Sequence, residues 1–113
     1  MIVITGASDG LGHELAKIYK SAGRTVVNIS RRECSAADYN LLHDLTKGEE
    51  IIAAAKEIAA IEEPLETIIN NAGIYSEEPI GEITEDMIEL LMATNVQSNI
   101  LLTSKLIDRI KKD

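Results

Sequence analysis

Short apolar runs alternate with longer amphipathic stretches along this chain. A β-branched run covers residues 2–5 and ends at Gly6, and a second covers residues 25–29. Residues 39–43 and 65–70 are two further short candidates. Short apolar runs bounded by turn residues are typical of buried strands. The pattern therefore predicts four strands.

The stretch after the first run has the spacing of an amphipathic helix. Its apolar residues recur three and four positions apart, which places them on one helix face that ends before Gly23, a suitable C-cap: Leu11, Leu15, Ile18, Tyr19 and Ala22. Residues 46–49 match a capping box, with Thr46 as the cap and Glu49 reaching back. The helix behind it is predicted to bury its apolar side: Ile51, Ile52, Ala55, Ile58 and Ala59.

The last third of the chain is predicted to be helical. Gly73 to Gly81 is expected to be a loop, and Thr84 before two acidic residues is typical of a helix start. Helical character runs on to Lys112, with a bend expected near Asn95. We expect one apolar stripe of this segment to face the core: Met87, Ile88, Leu91 and Met92.

The order of elements is β-α-β-β-α-β-α-α, in which strands alternate with helices. Such alternation predicts an α/β fold with a parallel sheet and helices on both faces. Right-handed crossovers give the strand order 3-2-1-4, as in a Rossmann-like fold. We predict one domain over residues 1–113.

Composition and charge narrow the range of partners. The formal net charge is -8, so the surface repels nucleic acid and anionic membranes, and neither is an expected partner. The chain shows no signal peptide and no apolar run long enough to span a bilayer. A lone Cys34 favours a reducing, cytoplasmic location, and its separation from His13 and His43 matches no zinc pattern.

A glycine-rich loop joins the first strand to the first helix. The segment Thr-Gly-Ala-Ser-Asp-Gly-Leu-Gly contains Gly6 for a sharp turn, Gly10 for close approach of a pyrophosphate, and Gly12 for close packing of the helix. Ser8 is expected to hydrogen-bond within the loop or to the ligand, and Leu11 lies between the last two glycines. The alternative is a tight structural turn, but a loop at this position favours a dinucleotide site.

Two motifs in register resemble the short-chain dehydrogenase/reductase family. The loop is similar to its Thr-Gly-x-x-x-Gly-x-Gly motif, and Asn-Ala-Gly at Asn71, Ala72 and Gly73, after Asn70, is similar to its motif at the end of strand four. The resemblance covers the whole chain. It implies an NAD(P)-dependent oxidoreductase that acts on a carbonyl or an alcohol, and that forms homo-oligomers.

The residues after the second strand favour NADP over NAD. An acid about 20 residues beyond the loop holds the ribose of NAD, whereas here Arg31 lies at that distance and Arg32 follows it. Guanidinium groups pair with a 2′-phosphate. The alternative is two solvated arginines, and the nearby acids Glu33 and Asp9 oppose an NADP site.

The resemblance assigns three further residues. It implies that Asp44 bonds the adenine amino group and that Leu45 packs on the ring, although Asp44 also suits a loop turn. It implies that Asn95 is the asparagine of the catalytic tetrad, which supplies a backbone carbonyl to a water of the proton relay. The alternative for Asn95 is a polar residue at a helix bend.

The other catalytic residues of that family are missing from the sequence. The family uses a Ser and a Tyr-x-x-x-Lys pair, but the residues four positions after Tyr19, Tyr39 and Tyr75 are Gly23, His43 and Pro79. The chain is therefore expected to be a Rossmann-like fold truncated before strand five and inactive alone. We expect a fragment of a longer enzyme; the alternatives are a non-catalytic NADP-binding module or a remnant that serves association.

Overall fold

A computed structural model describes residues 1–74, 77 and 79–110 of the chain. The strands are β1 (Ile2–Thr5), β2 (Val26–Ser30), β3 (Tyr39–Leu42) and β4 (Thr67–Ile69). The α-helices are α1 (Gly10–Ser21), α2 (Gly48–Ala59), α3 (Glu85–Met92) and α4 (Ser98–Leu106). A π-helical segment, Ala93–Gln97, joins α3 to α4, and a 3-10 turn, Ile107–Arg109, follows α4.

The four strands form one parallel sheet in the order β3-β2-β1-β4, which confirms the predicted topology. Ile2 lies opposite Val26 on one side and Thr67 on the other, so β1 is an inner strand. The crossovers lie on both faces of the sheet. The fold is therefore α/β and Rossmann-like, as expected.

Alternate residues of the strands enter two separate cores. On one face, Val3 and Val27 pack with buried residues of α2 and α4, among them Ile58 and Leu102. On the other, Ile2, Ile4 and Val26 pack against α1 through Ala16. The period of two along each strand produces this division, because successive side chains point to opposite faces.

The predicted apolar face of α1 is wrong at three positions. Leu11 and Ile18 are 69% and 63% exposed, and Ala22, after the last helical residue, is exposed as well. The buried residues of the helix are Gly12 and Ala16. Small residues let the helix axis approach the loop and the sheet closely, and the larger apolar side chains are left at its flanks. The end of the helix follows the prediction: Gly23 has φ +79, and the N–H of Arg24 donates to Tyr19 O at 3.0 Å, which is a Schellman motif.

The capping box predicted at residues 46–49 is also wrong. The Thr46 hydroxyl donates to Asp44 Oδ1 at 2.7 Å, and Glu50 Oε1 accepts the Asp44 N–H at 3.0 Å. Helix α2 therefore begins at Gly48, two residues beyond Thr46. It buries Ile51, Ala55 and Ile58 as predicted, and Ala54 besides, while Ile52 is half-buried and Ala59 is exposed.

The helical segment after Thr84 is less buried than predicted. Thr84 caps α3, since its hydroxyl accepts the Met87 N–H at 3.2 Å. No residue of α3 is buried, and Ile88 and Met92 are 51% and 53% exposed, so the stripe predicted for the core is not in the core of this chain. The bend expected near Asn95 is the π-helical segment. The helix ends at Leu106 rather than continuing to Lys112, which lies outside the described residues with Tyr75.

Candidate functional site

A cavity of about 410 Å³ lies at the carboxyl edge of the sheet, where β1, β2 and β4 end. At this edge the connections that follow β1 and its neighbour run to opposite faces of the sheet. A crevice is therefore left between them. Eighteen of the described residues line it: Gly6, Ser8, Asp9, Gly10, Leu11, Ser30, Arg31, Arg32, His43, Asp44, Leu45, Thr46, Asn71, Ala72, Gly73, Ile74, Leu90 and Thr94.

The glycine loop forms one wall and is tied to the sheet at its start. Gly6 has φ +71, a backbone region that L side chains rarely adopt, and its N–H donates to Ile29 O at 2.9 Å. The next N–H, that of Ala7, donates to the Asn28 side chain at 3.0 Å. The chain therefore turns off β1 at a fixed angle, and the later loop amides are left to face the cavity.

Gly12 is the contact point between α1 and the loop. A Cβ at this position would lie 2.5 Å from Gly6 O and 2.5 Å from Asn71 Nδ2. A side chain there would push the start of the helix away from both motifs. This glycine is therefore required by close packing against the loop and the Asn71 side chain.

The first turn of α1 directs a positive end at the cavity. Asp9 stands at the N-cap, but among the described atoms its side chain makes no capping bond and instead meets Arg32 Nη2 at 3.0 Å. The N–H groups of the first helical turn, at Gly10, Leu11 and Gly12, precede the first helical bond, from the His13 N–H to Asp9 O. Uncapped amides and the helix dipole together favour an anion.

The Asn-Ala-Gly segment is bonded directly to the glycine loop. The hydroxyl of Thr5 accepts the N–H groups of Asn71 and Ala72 at 3.1 and 3.0 Å. The side chain of Asn71 donates to Gly6 O at 3.1 Å. Ala72 lies so close that a Cβ on Gly6 would be 3.0 Å from its Cα. The two motifs therefore form one rigid floor of small residues.

Arg31 and Arg32 stand at the rim beyond β2, and both are exposed. Arg32 forms its ion pair with Asp9 where both side chains are about three-quarters exposed, at 75% and 76%. Such a solvated pair is weak, because water screens both charges. The rim therefore offers two guanidinium groups, one of them held by an acid of the opposite wall.

Asp44 lies on the far wall as a carboxylate. Hydrogen bonds from the Thr46 hydroxyl and the Thr46 N–H, both to Oδ1, hold the pKa of Asp44 below its usual value. His43 beside it lies 3.1 Å from Glu57 and 3.6 Å from Glu50. Leu45 is only 7% exposed and belongs mostly to the core. This wall combines a hydrogen-bond acceptor with an apolar surface.

Asn95 lies outside the lining of the cavity and holds its edge in place. Its side chain bonds the backbone of Ile74 twice, accepting the N–H at 2.8 Å and donating to the carbonyl at 2.7 Å. Its own carbonyl accepts from Asn99 Nδ2 at 3.0 Å. The structure thus shows a loop-holding role for the Asn95 side chain, and the relay role stays a prediction.

The structure brings all twelve predicted cofactor-binding residues to this crevice, eleven of them in its lining and Gly12 directly behind. Seven lining residues were not predicted to bind the cofactor: Asp9, Ser30, His43, Thr46, Ile74, Leu90 and Thr94. Ser30 could have been found, because it directly precedes Arg31 at a strand end. Leu90 and Thr94 come from a segment whose distance from the site only the tertiary fold defines.

The described residues hold neither a metal cluster nor a membrane-spanning helix. Within residues 1–74, 77 and 79–110, no three His, Cys, Asp or Glu side chains converge as a metal site would require. Cys34 Sγ lies 3.6 Å from His13 Nδ1, which is a contact of two groups only. In the same part of the chain, no helix has the length and apolar character needed to cross a bilayer.

Comparison with known proteins identifies a matching family model and related sequences. The family model described as short chain dehydrogenase matches residues 1–113. L-xylulose reductase of Caenorhabditis elegans is 32% identical over 112 residues, which cover 89% of this chain and 44% of that protein. The chain therefore spans less than half the length of this curated relative.

Solved structures share the fold. A short-chain dehydrogenase from Streptomyces avermitilis superimposes with a TM-score of 0.85 at 28% identity, over 96% of this chain and 43% of that one. A short chain dehydrogenase from Burkholderia cenocepacia in complex with NADP gives a TM-score of 0.88 at 20% identity, over 98% of this chain and 51% of that one. At 20% identity the second likeness concerns the fold alone.

Proposed function

The chain belongs to the short-chain dehydrogenase family, and we propose that it is the cofactor-binding part of an NAD(P)-dependent oxidoreductase, with NADP favoured over NAD. The substrate would be a small carbonyl compound or alcohol, and a cytoplasmic homo-oligomer is the proposed setting. The cofactor supplies the hydride acceptor or donor when it is bound. The residues of this chain bind and orient it.

One observation carries the proposal: a single crevice joins the glycine loop, the Asn-Ala-Gly floor and the two rim arginines. A dinucleotide is an extended anion in which a pyrophosphate joins two sugars and two bases, so it needs an anion site, bare backbone and apolar walls in one groove. Gly12 leaves no room for a Cβ, and at Gly6 a Cβ would fit only tightly against Ala72. The residues present therefore fit a dinucleotide.

The proposed roles follow from the chemistry of each wall. The uncapped amides of α1 would hold the pyrophosphate, with Ser8 as an added donor. Arg31 and Arg32 would pair with the 2′-phosphate. Asp44 would accept from the adenine amino group, and Leu45 would pack beside the ring. Ala72 and Gly73 would let the cofactor lie against the backbone.

We do not propose that this chain catalyses the hydride transfer on its own. No tyrosine among its 113 residues is followed four positions later by a lysine, so the proton donor of the reaction would have to come from elsewhere. Asn95 would contribute its carbonyl to the relay only together with such a donor. A non-catalytic NADP-binding module or a structural remnant is the second candidate, favoured by this lack of a Tyr-x-x-x-Lys pair.

The test is a calorimetric titration of the chain with NADP⁺ and with NAD⁺. We expect measurable binding of both and tighter binding of NADP⁺. Replacing Arg31 by Ala is expected to weaken NADP⁺ about tenfold, because a charge-assisted bond contributes about 1.5–3 kcal/mol, and to leave NAD⁺ nearly unchanged.

The matched control is Arg24→Ala, since Arg24 pairs with Glu66 before the amino ends of β2 and β4, away from the crevice. It should leave the affinity for both nucleotides unchanged. A chain that binds neither nucleotide would contradict the proposal and leave the structural remnant. An Arg31→Ala variant that weakens both nucleotides equally would contradict the NADP preference alone.

A further inference from the structure

A buried asparagine in β2 connects the glycine loop to the arginine segment. Asn28 is fully buried in the run Val-Val-Asn-Ile, where an apolar residue would be expected. Its Oδ1 accepts the N–H of Ala7 at 3.0 Å, inside the glycine loop. Asn28 lies outside the lining of the crevice defined by the described residues. Any effect it has on a bound nucleotide must therefore pass through its neighbours.

The other end of the same side chain holds the arginine segment. Asn28 Nδ2 lies 3.0 Å from the carbonyl oxygen of Arg32, 3.1 Å from Ser30 Oγ and 3.0 Å from Asn40 Oδ1. The Ser30 hydroxyl also donates to the Arg32 carbonyl. The backbone of Arg32 is thus held by two donors from the buried side.

Asn40 on β3 extends the network to the end of the segment. Its Oδ1 accepts the Cys34 N–H at 2.8 Å, and its Nδ2 donates to Cys34 O at 3.3 Å. Residues 31–34 are therefore fixed at Arg32 and again at Cys34, although the arginine side chains themselves are exposed. The network fixes the backbone from which both guanidinium groups extend.

Burying an amide is unfavourable unless all its bonds are made, so an asparagine at this position needs a reason. Its partner on β1 is the apolar Ile4, and its partner on β3 is Asn40. The bonds of Asn28 go to the loop that faces a pyrophosphate and to the segment that faces a 2′-phosphate. These are the two anion-binding elements of the crevice.

We propose that Asn28 is a positioning residue for nucleotide selectivity, which holds Arg31 and Arg32 where they meet the 2′-phosphate. This inference rests on the proposed function and deepens it. Without the network, the arginine segment would have to be ordered each time NADP binds. Ordering the backbone of one residue weakens binding about five- to thirtyfold. NAD, which has no 2′-phosphate, would not require that ordering.

The variant Asn28→Asp tests the roles of the amide oxygen and the amide nitrogen separately. It keeps an oxygen for the Ala7 N–H and removes the donor to the Arg32 carbonyl. The readout is the ratio of the NAD⁺ and NADP⁺ dissociation constants from calorimetry. We expect this preference for NADP⁺ to fall at least about fivefold. Because Asp also adds a negative charge near both phosphates, the uncharged variant Asn40→Ala has to lower the ratio as well. A merely structural role would lower the melting temperature and leave the ratio of that variant unchanged.

Asn40→Ala is the second variant, in case Asn28→Asp does not fold. It removes the acceptor for Asn28 and the hold on Cys34 at a half-buried position of β3, and it should lower the same ratio. Arg109→Ala is the matched control, since it removes the hydrogen bonds of another half-buried side chain, to Ala59 O at 2.8 Å and Ile61 O at 3.2 Å, outside the lining of the crevice. Its ratio should equal that of the unmodified chain.

The outcomes distinguish a failure of the proposed function from a failure of the role proposed for Asn28. If the unmodified chain binds neither nucleotide, the proposed function fails and this inference fails with it. If the unmodified chain prefers NADP⁺ and the folded variants keep that preference, the proposed function stands and the role of Asn28 is overturned. A lower ratio in the uncharged Asn40 variant as well as in the Asn28 variant, with an unchanged ratio in the Arg109 variant, supports it.

Discussion

Asp9 and Arg32 oppose each other across the mouth of the crevice, where one residue comes from the glycine loop and the other from the end of β2. An acid at the N-cap would ordinarily accept the free N–H groups of its own helix. Here the Asp9 side chain turns to the guanidinium instead. It would thereby compete with the proposed 2′-phosphate for Arg32, and it adds a negative charge beside the proposed anion site.

Replacing Asp9 by Ala is therefore expected to tighten NADP⁺ binding about two- to fivefold, which is the range of an exposed ion pair, with a smaller gain for NAD⁺. The gain should shrink as salt is added, because exposed charges are screened within about 10 Å at 0.1 M. Calorimetry at two salt concentrations measures it. Glu14→Ala removes an acid from α1 that pairs with Lys17, and it should change neither affinity. Weaker NADP⁺ binding by the Asp9 variant would contradict competition.

The glycines offer a second prediction for single residues. Ala at Gly12 would place its Cβ against Gly6 O and Asn71 Nδ2, and we expect it to lower the free energy of unfolding by about 3 kcal/mol. Ala at Gly10 meets nothing within 4 Å, but φ is +57, so it should cost about 1 kcal/mol. Urea denaturation measures both.

Gly48→Ala is the control for these glycines. It lies at the start of α2, and its Cβ would be in ordinary contact with Leu101 at 3.8 Å. Ala should stabilise the chain there by about 0.5 kcal/mol, because it restricts the unfolded state. Equal losses at Gly10 and Gly12 would show that packing against the loop is not what Gly12 provides.

Among the elements, Asp38 joins α1, β2 and the start of β3. Its side chain accepts from Lys20 and, at 2.8 Å, from the Val26 N–H. The bond from Lys20, followed by that from the Val26 N–H, lowers the pKa of Asp38. The carboxylate form is thus favoured in the folded chain.

Asp38→Asn should lower the free energy of unfolding at pH 7 by about 1 kcal/mol, in line with one charge-assisted bond. Because the folded pKa is lowered, this stability is present above the unfolded pKa of about 3.9 and is lost as the pH falls through the folded value. The two chains should therefore converge at low pH. Urea denaturation at several pH values tests this, with Asp108→Asn as an exposed control. A difference that persists at low pH would contradict the role of the charge.

The elements also show how far the sequence could be interpreted. Two β-branched runs and two less regular short candidates predicted all four strands to within a few residues, since a short run bounded by turn residues is the main requirement of a parallel strand. The prediction for the buried face of α1 was wrong because the small residues Gly12 and Ala16 make the close contact with the sheet. A search for large apolar residues at helical spacing does not detect small ones. The predicted start of α2 was wrong because Thr46 and Glu49 do not form the expected capping box. Their place is taken by hydrogen bonds that Asp44 makes with Thr46 and Glu50.

The site was predicted where the chain itself carries the spacing, at the glycine loop, the two arginines and Asn-Ala-Gly. It was not predicted where a role depends on partners far apart in sequence. Asn28 bonds Ala7, which precedes it by 21 residues, and Asn40, which follows it by 12. Only the register of three strands brings these together. A polar residue within an apolar strand was the available signal.

For the whole molecule, the most unusual surface is an apolar ridge on the last helical segments. Met92, Val96 and Ile100 are spaced by four and are 53%, 41% and 65% exposed. Residues spaced in this way share one side of a helix. Exposed apolar surface of this kind marks association, and the net charge of -8 opposes association only at low salt.

We expect the chain to self-associate in a concentration-dependent way that the double variant Met92→Lys and Ile100→Lys abolishes. Its melting temperature should stay within a few degrees, because both side chains are already more than half exposed. Sedimentation velocity measures the association. Ile18→Lys, at an exposed apolar position of α1, should not change it. A chain that stays monomeric at high concentration would contradict this prediction.

The place of β1 inside the sheet has a consequence for synthesis. Ile2 pairs with Val26 and with Thr67, so β1 leaves the ribosome before both of its neighbours and waits for them. Translation at about 5–20 residues per second makes that wait several seconds long. During it, an apolar strand with a free edge is exposed to other nascent chains and to chaperones. The yield of folded chain in a cell should therefore depend on elongation rate and on chaperone supply as well as on the stability of the finished sheet.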